Sequence, residues 1–115
     1  MAQLDTIKSS EEISFLFANG KRIHTSYMTL IVLPQQHDRS TVGGRVAFVA
    51  GKKQGNAVWR NAAKRRMREV CREVGGPWPH TDVVFLAKAP IAKASHATVM
   101  AACQDACQRA GLGKK

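Results

Sequence analysis

Hydrophobic and polar positions alternate along this chain with two distinct periods. Ser9-Ser10-Glu11-Glu12 has capping-box form and is followed by Ile13, Leu16 and Phe17 at helical spacing, stopping at Asn19-Gly20. This predicts a short amphipathic helix over 10–18. Residues 26–33 are apolar and β-branched, end at Pro34 and predict a strand. Its period of two places Tyr27, Thr29, Ile31 and Leu33 on one face and Met28, Leu30 and Val32 on the other. The polar stretch 35–44 is a loop, 45–50 a second strand, and 81–88 a third whose apolar run calls for burial on both faces. Gly75-Gly76-Pro77-Trp78-Pro79 forms the preceding turn. An Ala-rich helix over 95–110 closes the chain, with Ser95 as N-cap, Val99, Cys103 and Ala106 facing inward, and Gly111 as its stop.

Neither repeats nor a long linker divide the 115 residues, so we expect a single domain over 1–115. The apolar runs 30–33 and 83–87 are far too short to span a bilayer. Residues 1–5 show neither a basic leader nor an apolar signal segment, and three cysteines make an odd number, so a cytoplasmic protein with reduced thiols is expected.

Charge changes this plain picture. The net charge is +10, and a polyanionic partner is the usual reason for such a surplus on a small surface. Residues 51–72 hold eight basic side chains against Glu69 alone, which is +7 of that total. From about Val58 the segment reads as a helix. At about 100° per residue, Trp59, Ala63, Met67, Val70, Cys71 and Val74 share one arc. Arg60, Asn61, Lys64, Arg65, Arg68 and Arg72 share the adjacent sector; Glu69 and Glu73 lie in a third, with Arg66 beyond them. Like charges repeating at i+4 destabilise a helix by about 0.2–0.5 kcal/mol per pair, so solubility alone does not account for the ridge. Arginine in place of lysine suits forked recognition of phosphate oxygens. Gly51 and Gly55 let the backbone turn tightly into the helix and come close to a phosphate, although no P-loop is present.

Lys52-Lys53-Gln54-Gly55-Asn56-Ala57-Val58-Trp59-Arg60-Asn61-Ala62-Ala63-Lys64-Arg65-Arg66-Met67-Arg68 resembles the signature of the bacterial ribonuclease P protein component. That family's pattern is Lys-Lys-x-Gly-x-Ala-Val-x-Arg-Asn-x-x-Lys-Arg-x-x-Arg, and every fixed position over 17 residues is matched. The resemblance implies a small α/β fold of the α+β, two-layer kind, in the order α-β-β-β-α-β-α. It also implies a left-handed βαβ crossover and a further short strand near residues 21–24. The implied function is that of the protein subunit of a ribonucleoprotein endonuclease removing the 5′ leader of precursor tRNA. Its partners would be the ribonuclease P RNA and precursor tRNA, with no membrane, one protein to one RNA. No cofactor is expected on the protein; magnesium and catalysis would belong to the RNA subunit.

The resemblance assigns RNA contacts to Lys52, Lys53, Arg60, Asn61, Lys64, Arg65 and Arg68, and Asn56, at an unspecified position of the pattern, is expected to join this RNA-binding set. It also implies a leader cleft between the first helix and the sheet, where aromatic platforms stack on bases. Phe17 keeps an aromatic there, whereas Ile13 and Ile31 stand where the family often has aromatics; Tyr27, on the Ile31 face, is a substitute platform. Thr6-Ile7 stands where the family often has Arg-Leu. The residues themselves agree with a non-catalytic protein: the eight carboxylates are scattered, and His24, His37, His80 and His96 show no metal-ligand spacing. Cys71, Cys103 and Cys107 read as buried small hydrophobes, and Trp59 and Trp78 as packing residues. Two rival readings are a generic structural or ribosomal RNA-binding protein using the same helix, and a protein-only nuclease, disfavoured by the scattered carboxylates.

Overall fold

A computed structural model describes residues 7, 10–34, 44–51, 55–76, 78 and 81–112. The apolar run near residue 84 becomes the strand buried on both faces that its composition demands: Val83, Val84 and Phe85 have no exposed surface. The elements are α1 (Ser10–Asn19), β1 (Lys21–His24), β2 (Met28–Pro34), β3 (Arg45–Val49), α2 (Ala57–Glu73), β4 (Thr81–Ala87), a 3-10 turn (Ala89–Ala92) and α3 (His96–Ala110). The four strands form one sheet in the order β1-β2-β4-β3. β1 and β2 are a hairpin, β2 and β4 are antiparallel, and β3 and β4 are parallel with α2 as their crossover. The α+β class and the element order expected from the resemblance stand, the short strand at Lys21–His24 included.

Helices cover both faces of this sheet, so two layers is too few. Val83, Phe85, Leu30, Met28 and Val46 pack against Met67, Val70 and Cys71 of α2 and Val99 and Cys103 of α3. Side chains one position out of phase, Val84, Ile31 and Ala47, pack instead against Ile7 and Leu16 of the α1 side. Each fully buried Leu, Met or Phe contributes roughly 1.5–3 kcal/mol. α1 reaches its face because the chain turns sharply at Gly20. A Cβ there would stand 2.5 Å from Ile31 Cγ2 and 2.8 Å from the Leu16 carbonyl oxygen, so only glycine lets helix and strand approach this closely.

β2 begins at Met28, two residues later than the pattern of residues 26–33 predicts. The Thr25 hydroxyl oxygen accepts from the Tyr27 and Met28 N–H groups at 3.1 and 3.0 Å and donates to the Met28 carbonyl at 2.7 Å. These local bonds outcompete the ladder and hold residues 25–28 as a turn. α3 starts at His96 with the Ser95 hydroxyl accepting from the Thr98 N–H, and its inward stripe is the predicted one with Cys107 added. The capping Ser9, the loop residues 35–43, and Pro77 and Pro79 lie outside the described residues.

All three cysteines are free and buried. Burial pushes the Cys71 thiol up to about 12, while a hydrogen bond to Cys107, then burial, raise Cys103. The native protein is therefore expected to resist a thiol reagent at pH 8, where an exposed cysteine reacts quickly, and to release three reactive thiols in denaturant. Above pH about 9 the unfolded Cys71 ionises first and the folded one only near 12, so stability should fall across that window. Fast native labelling would show that the α2–α3 contact opens readily.

Candidate nucleic-acid interface

α2 is set down by its own first residues. The Asn56 carboxamide oxygen accepts from the Trp59 N–H at 2.9 Å, closing the helix start. Gly55 is needed here for packing: an added Cβ would lie 2.8–2.9 Å from the Trp59 side chain, whose indole N–H donates to the Ala89 carbonyl at 3.2 Å. Close contact with the indole, not with a phosphate, is therefore the demonstrable reason for this glycine. Ala63, Met67, Val70 and Cys71 are fully buried, as the wheel predicts. Trp59 and Val74 pack half-buried at the rim of the same cluster.

The adjacent face of α2 is a cationic ridge. Asn61, Arg65 and Arg72 form its exposed crest, and Arg60, Lys64 and Arg68 are half-buried along its flank. The Arg68 guanidinium lies 5.6 Å from the ring centre of Phe48 on β3, which fixes the flank against the sheet's edge strand. Among the described residues, no carboxylate lies within ion-pair distance of Arg60, Lys64, Arg65, Arg68 or Arg72. Arg66 points elsewhere. It donates to the Ile91 carbonyl at 3.3 Å and to the Ala94 carbonyl, bracing α2 on the 3-10 turn, a connection no sequence pattern announced. Val58 stands 77% exposed on the first turn beside Arg60 and Asn61. Lys52 and Lys53 lie outside the described residues, between Gly51 and Gly55.

On the other face of the sheet, α1 crosses β2 and β4 and is tied down at each end. At its start, Arg45 of β3 reaches both Asp82 of β4, at 3.3 and 2.9 Å, and Glu12 of α1, at 3.1 Å. Arg45 and Asp82 are neighbours in register, and their side chains are only 14% and 8% exposed. The hydrogen bonding that Arg45 donates to Asp82 is the largest influence raising the Arg45 pKa, against the opposing effect of burial. At its end, the Arg22 guanidinium lies over the Phe17 ring at 5.6 Å and donates to the Phe17 carbonyl at 3.0 Å. Neither tie was legible beforehand, because each joins residues whose adjacency depends on strand register.

Ile13 and Phe17 are half-buried against the Ile31–Val84 cluster, so three of the four residues expected at a leader cleft lie together. Ile31 is fully buried in the core beneath α1, so it supports Phe17 and Ile13 from below and presents no surface of its own to a ligand. Tyr27 is a correction: it packs against the α2–α3 cluster, on the far side of the sheet from Ile31. The alternation that placed it with Ile31 assumed that β2 already ran through position 27, where the Thr25 turn holds the chain. His24 Nδ1 and Thr29 Oγ1, paired in register, lie 3.1 Å apart and link β1 to β2 on the same sheet face. Among the described residues, no group of three or more His, Cys, Asp or Glu is placed to hold a metal, and no helix is long and apolar enough to cross a membrane.

A protein-family model for ribonuclease P matches residues 1–111. Among curated relatives, the ribonuclease P protein component of Natranaerobius thermophilus is 40% identical over 72 residues, covering 63% of this chain and 59% of that one. That of Streptococcus mutans is 30% identical over 93 residues, covering 81% of this chain and 75% of that one. That of Exiguobacterium sibiricum is 27% identical over 110 residues, covering 95% and 92%. Among solved structures, the RNase P protein of Staphylococcus aureus superposes with a TM-score of 0.80 at 18% identity, covering 97% of this chain and all of that one. That of Thermotoga maritima superposes with a TM-score of 0.74 at 20% identity, covering 91% and 96%. With its four-stranded mixed sheet, its flanking helices and a family match along nearly its whole length, this chain belongs to the ribonuclease P protein family.

Proposed function

We propose that this protein is the protein subunit of ribonuclease P, binding the RNA subunit along the α2 ridge and the single-stranded 5′ leader of precursor tRNA in the cleft under α1. The observation that carries the reading is the ridge itself: five cations on one helix, none within ion-pair distance of a carboxylate among the described residues, a surface whose self-repulsion an RNA backbone relieves. Lys52, Lys53, Arg60, Lys64, Arg65 and Arg68 neutralise phosphates as RNA elements are drawn together. Asn61 adds a directional donor and acceptor on the crest, and Asn56 offers its amide N–H groups, its oxygen being engaged by the cap. In the cleft, Phe17 is the aromatic platform, packed on the buried Ile31, with Ile13 beside it. The protein supplies binding and orientation in the cytoplasm, one copy per RNA, and hydrolysis with its magnesium belongs to the RNA subunit.

Reconstitution tests this directly. With a bacterial ribonuclease P RNA at low magnesium, the protein is expected to raise the cleavage rate of precursor tRNA and to favour precursor over mature tRNA. RNA-subunit binding without either effect would leave a structural RNA-binding protein, and cleavage by the protein alone would make it a nuclease. In the same assay Phe17→Ala is expected to reduce the preference for precursor by about tenfold, the scale of a single base–aromatic stack. A protein that is destabilised but retains full preference would return Phe17 to an ordinary packing role.

A further inference from the structure

We propose that Arg22, whose guanidinium lies over the Phe17 ring, is a leader-contact residue, offering a stacking surface to a base of the single strand and its charge to the adjoining phosphate. The inference rests on the cleft reading above and deepens it. Arg22 pairs in register with Ile31 across the β1–β2 hairpin, so its side chain rises from the same sheet face that α1 partly covers. It is exposed. Phe17 packs on the cluster around Ile31, and Arg22 lies over its ring at 5.6 Å. A base approaching that ring therefore meets the guanidinium.

One donor, Nη2, is occupied by the Phe17 carbonyl, and among the described residues no carboxylate lies within ion-pair distance of the group. A guanidinium carries five N–H donors in a rigid plane, and its weak hydration lets it stack on bases while bonding a phosphate. A helix C-cap needs only the Phe17 carbonyl bond. A guanidinium over an aromatic ring, on the wall of the proposed cleft, suits a single-stranded nucleic acid, in which every base offers a stackable face. This chain, with isoleucine at 13 and 31, draws its stacking surface from an arginine–phenylalanine pair.

The test uses the reconstituted holoenzyme, leader-bearing precursor tRNA and mature tRNA. Arg22→Gln is expected to lower the affinity for precursor about tenfold with that for mature tRNA unchanged, and to reduce the salt slope of precursor binding by about 0.7, the value for one single-strand phosphate contact. Arg22→Lys keeps the cation and is expected to restore the slope while precursor preference stays below wild type, because the stacking plane is gone. Wild-type preference in both variants would overturn the proposal, also if their melting temperatures fall, since a cap alone would then account for Arg22. An absence of precursor preference in the unmodified holoenzyme would overturn the cleft reading itself.

Discussion

Asp82→Asn is expected to destabilise the protein by about 3 kcal/mol, the low end of the cost of removing one partner from a buried ion pair. For a chain of this size that is a fall in melting temperature on the order of 10 °C. Arg45 is wedged between β4 and α1, with both Asp82 oxygens and one Glu12 oxygen accepting from its guanidinium. With Asp82 neutral, a cation 14% exposed keeps only Glu12, which is itself a third exposed and better screened by water. Replacing the pair together, Arg45→Met with Asp82→Leu, should recover most of the loss, because apolar side chains of similar volume carry no desolvation cost. The double variant also severs the tie between α1 and the sheet. We therefore expect near-normal stability with impaired preference for precursor tRNA, measured by urea denaturation and by binding. A cost below about 1 kcal/mol for Asp82→Asn would mean that Arg45 is held by water and not by the pair.

The two ends of α1 show where sequence reasoning stops. The helix was readable from Ile13, Leu16, Phe17 and Gly20, because period and stop signals are local. Glu12 read as half of a capping box, yet its carboxylate also accepts from Arg45, 33 positions away. That ion pair exists only because β3 inserts parallel to β4, and nothing in the spacing of residues 12, 45 and 82 announces it. Arg22 and Phe17 are five residues apart, but whether the guanidinium covers the ring depends on the β1–β2 register. The ridge was the opposite case. A helical wheel separates Met67 and Cys71 from Arg60 and Arg68, and it sets apart Arg66, whose partners are the Ile91 and Ala94 carbonyls. A helix carries its own geometry, so faces on one helix are legible, whereas a cleft between elements is not. Tyr27 failed for a related reason: alternation assigns a face only where a strand has begun, and a threonine hydroxyl decided where β2 began.

Converting Arg60, Lys64 and Arg68 together to Gln is expected to weaken RNA-subunit binding by at least about 100-fold, taking upwards of 1 kcal/mol for each charge-assisted hydrogen bond to phosphate. The fold should hardly respond. Three like-charge i,i+4 pairs disappear (60/64, 64/68 and 68/72), a gain of roughly 0.2–0.5 kcal/mol each, against roughly 0.5–1 kcal/mol for removing Arg68 from the Phe48 ring. The salt dependence should flatten, with the slope of log K against log salt falling by about 2–3. Arg60→Ala or Arg68→Ala alone should lower it by about one. Arg66→Gln is the internal control. Its guanidinium binds the Ile91 and Ala94 carbonyls and not the ridge's ligand, so it should lower the melting temperature while leaving RNA affinity and slope as they are. Titrations of the RNA subunit across a range of salt, with thermal melts of the same preparations, separate the two behaviours. If Arg66→Gln weakened RNA binding as much as the triple variant, or if the triple variant kept the wild-type slope, charge on α2 would be acting without regard to face and the ridge would not be the RNA contact.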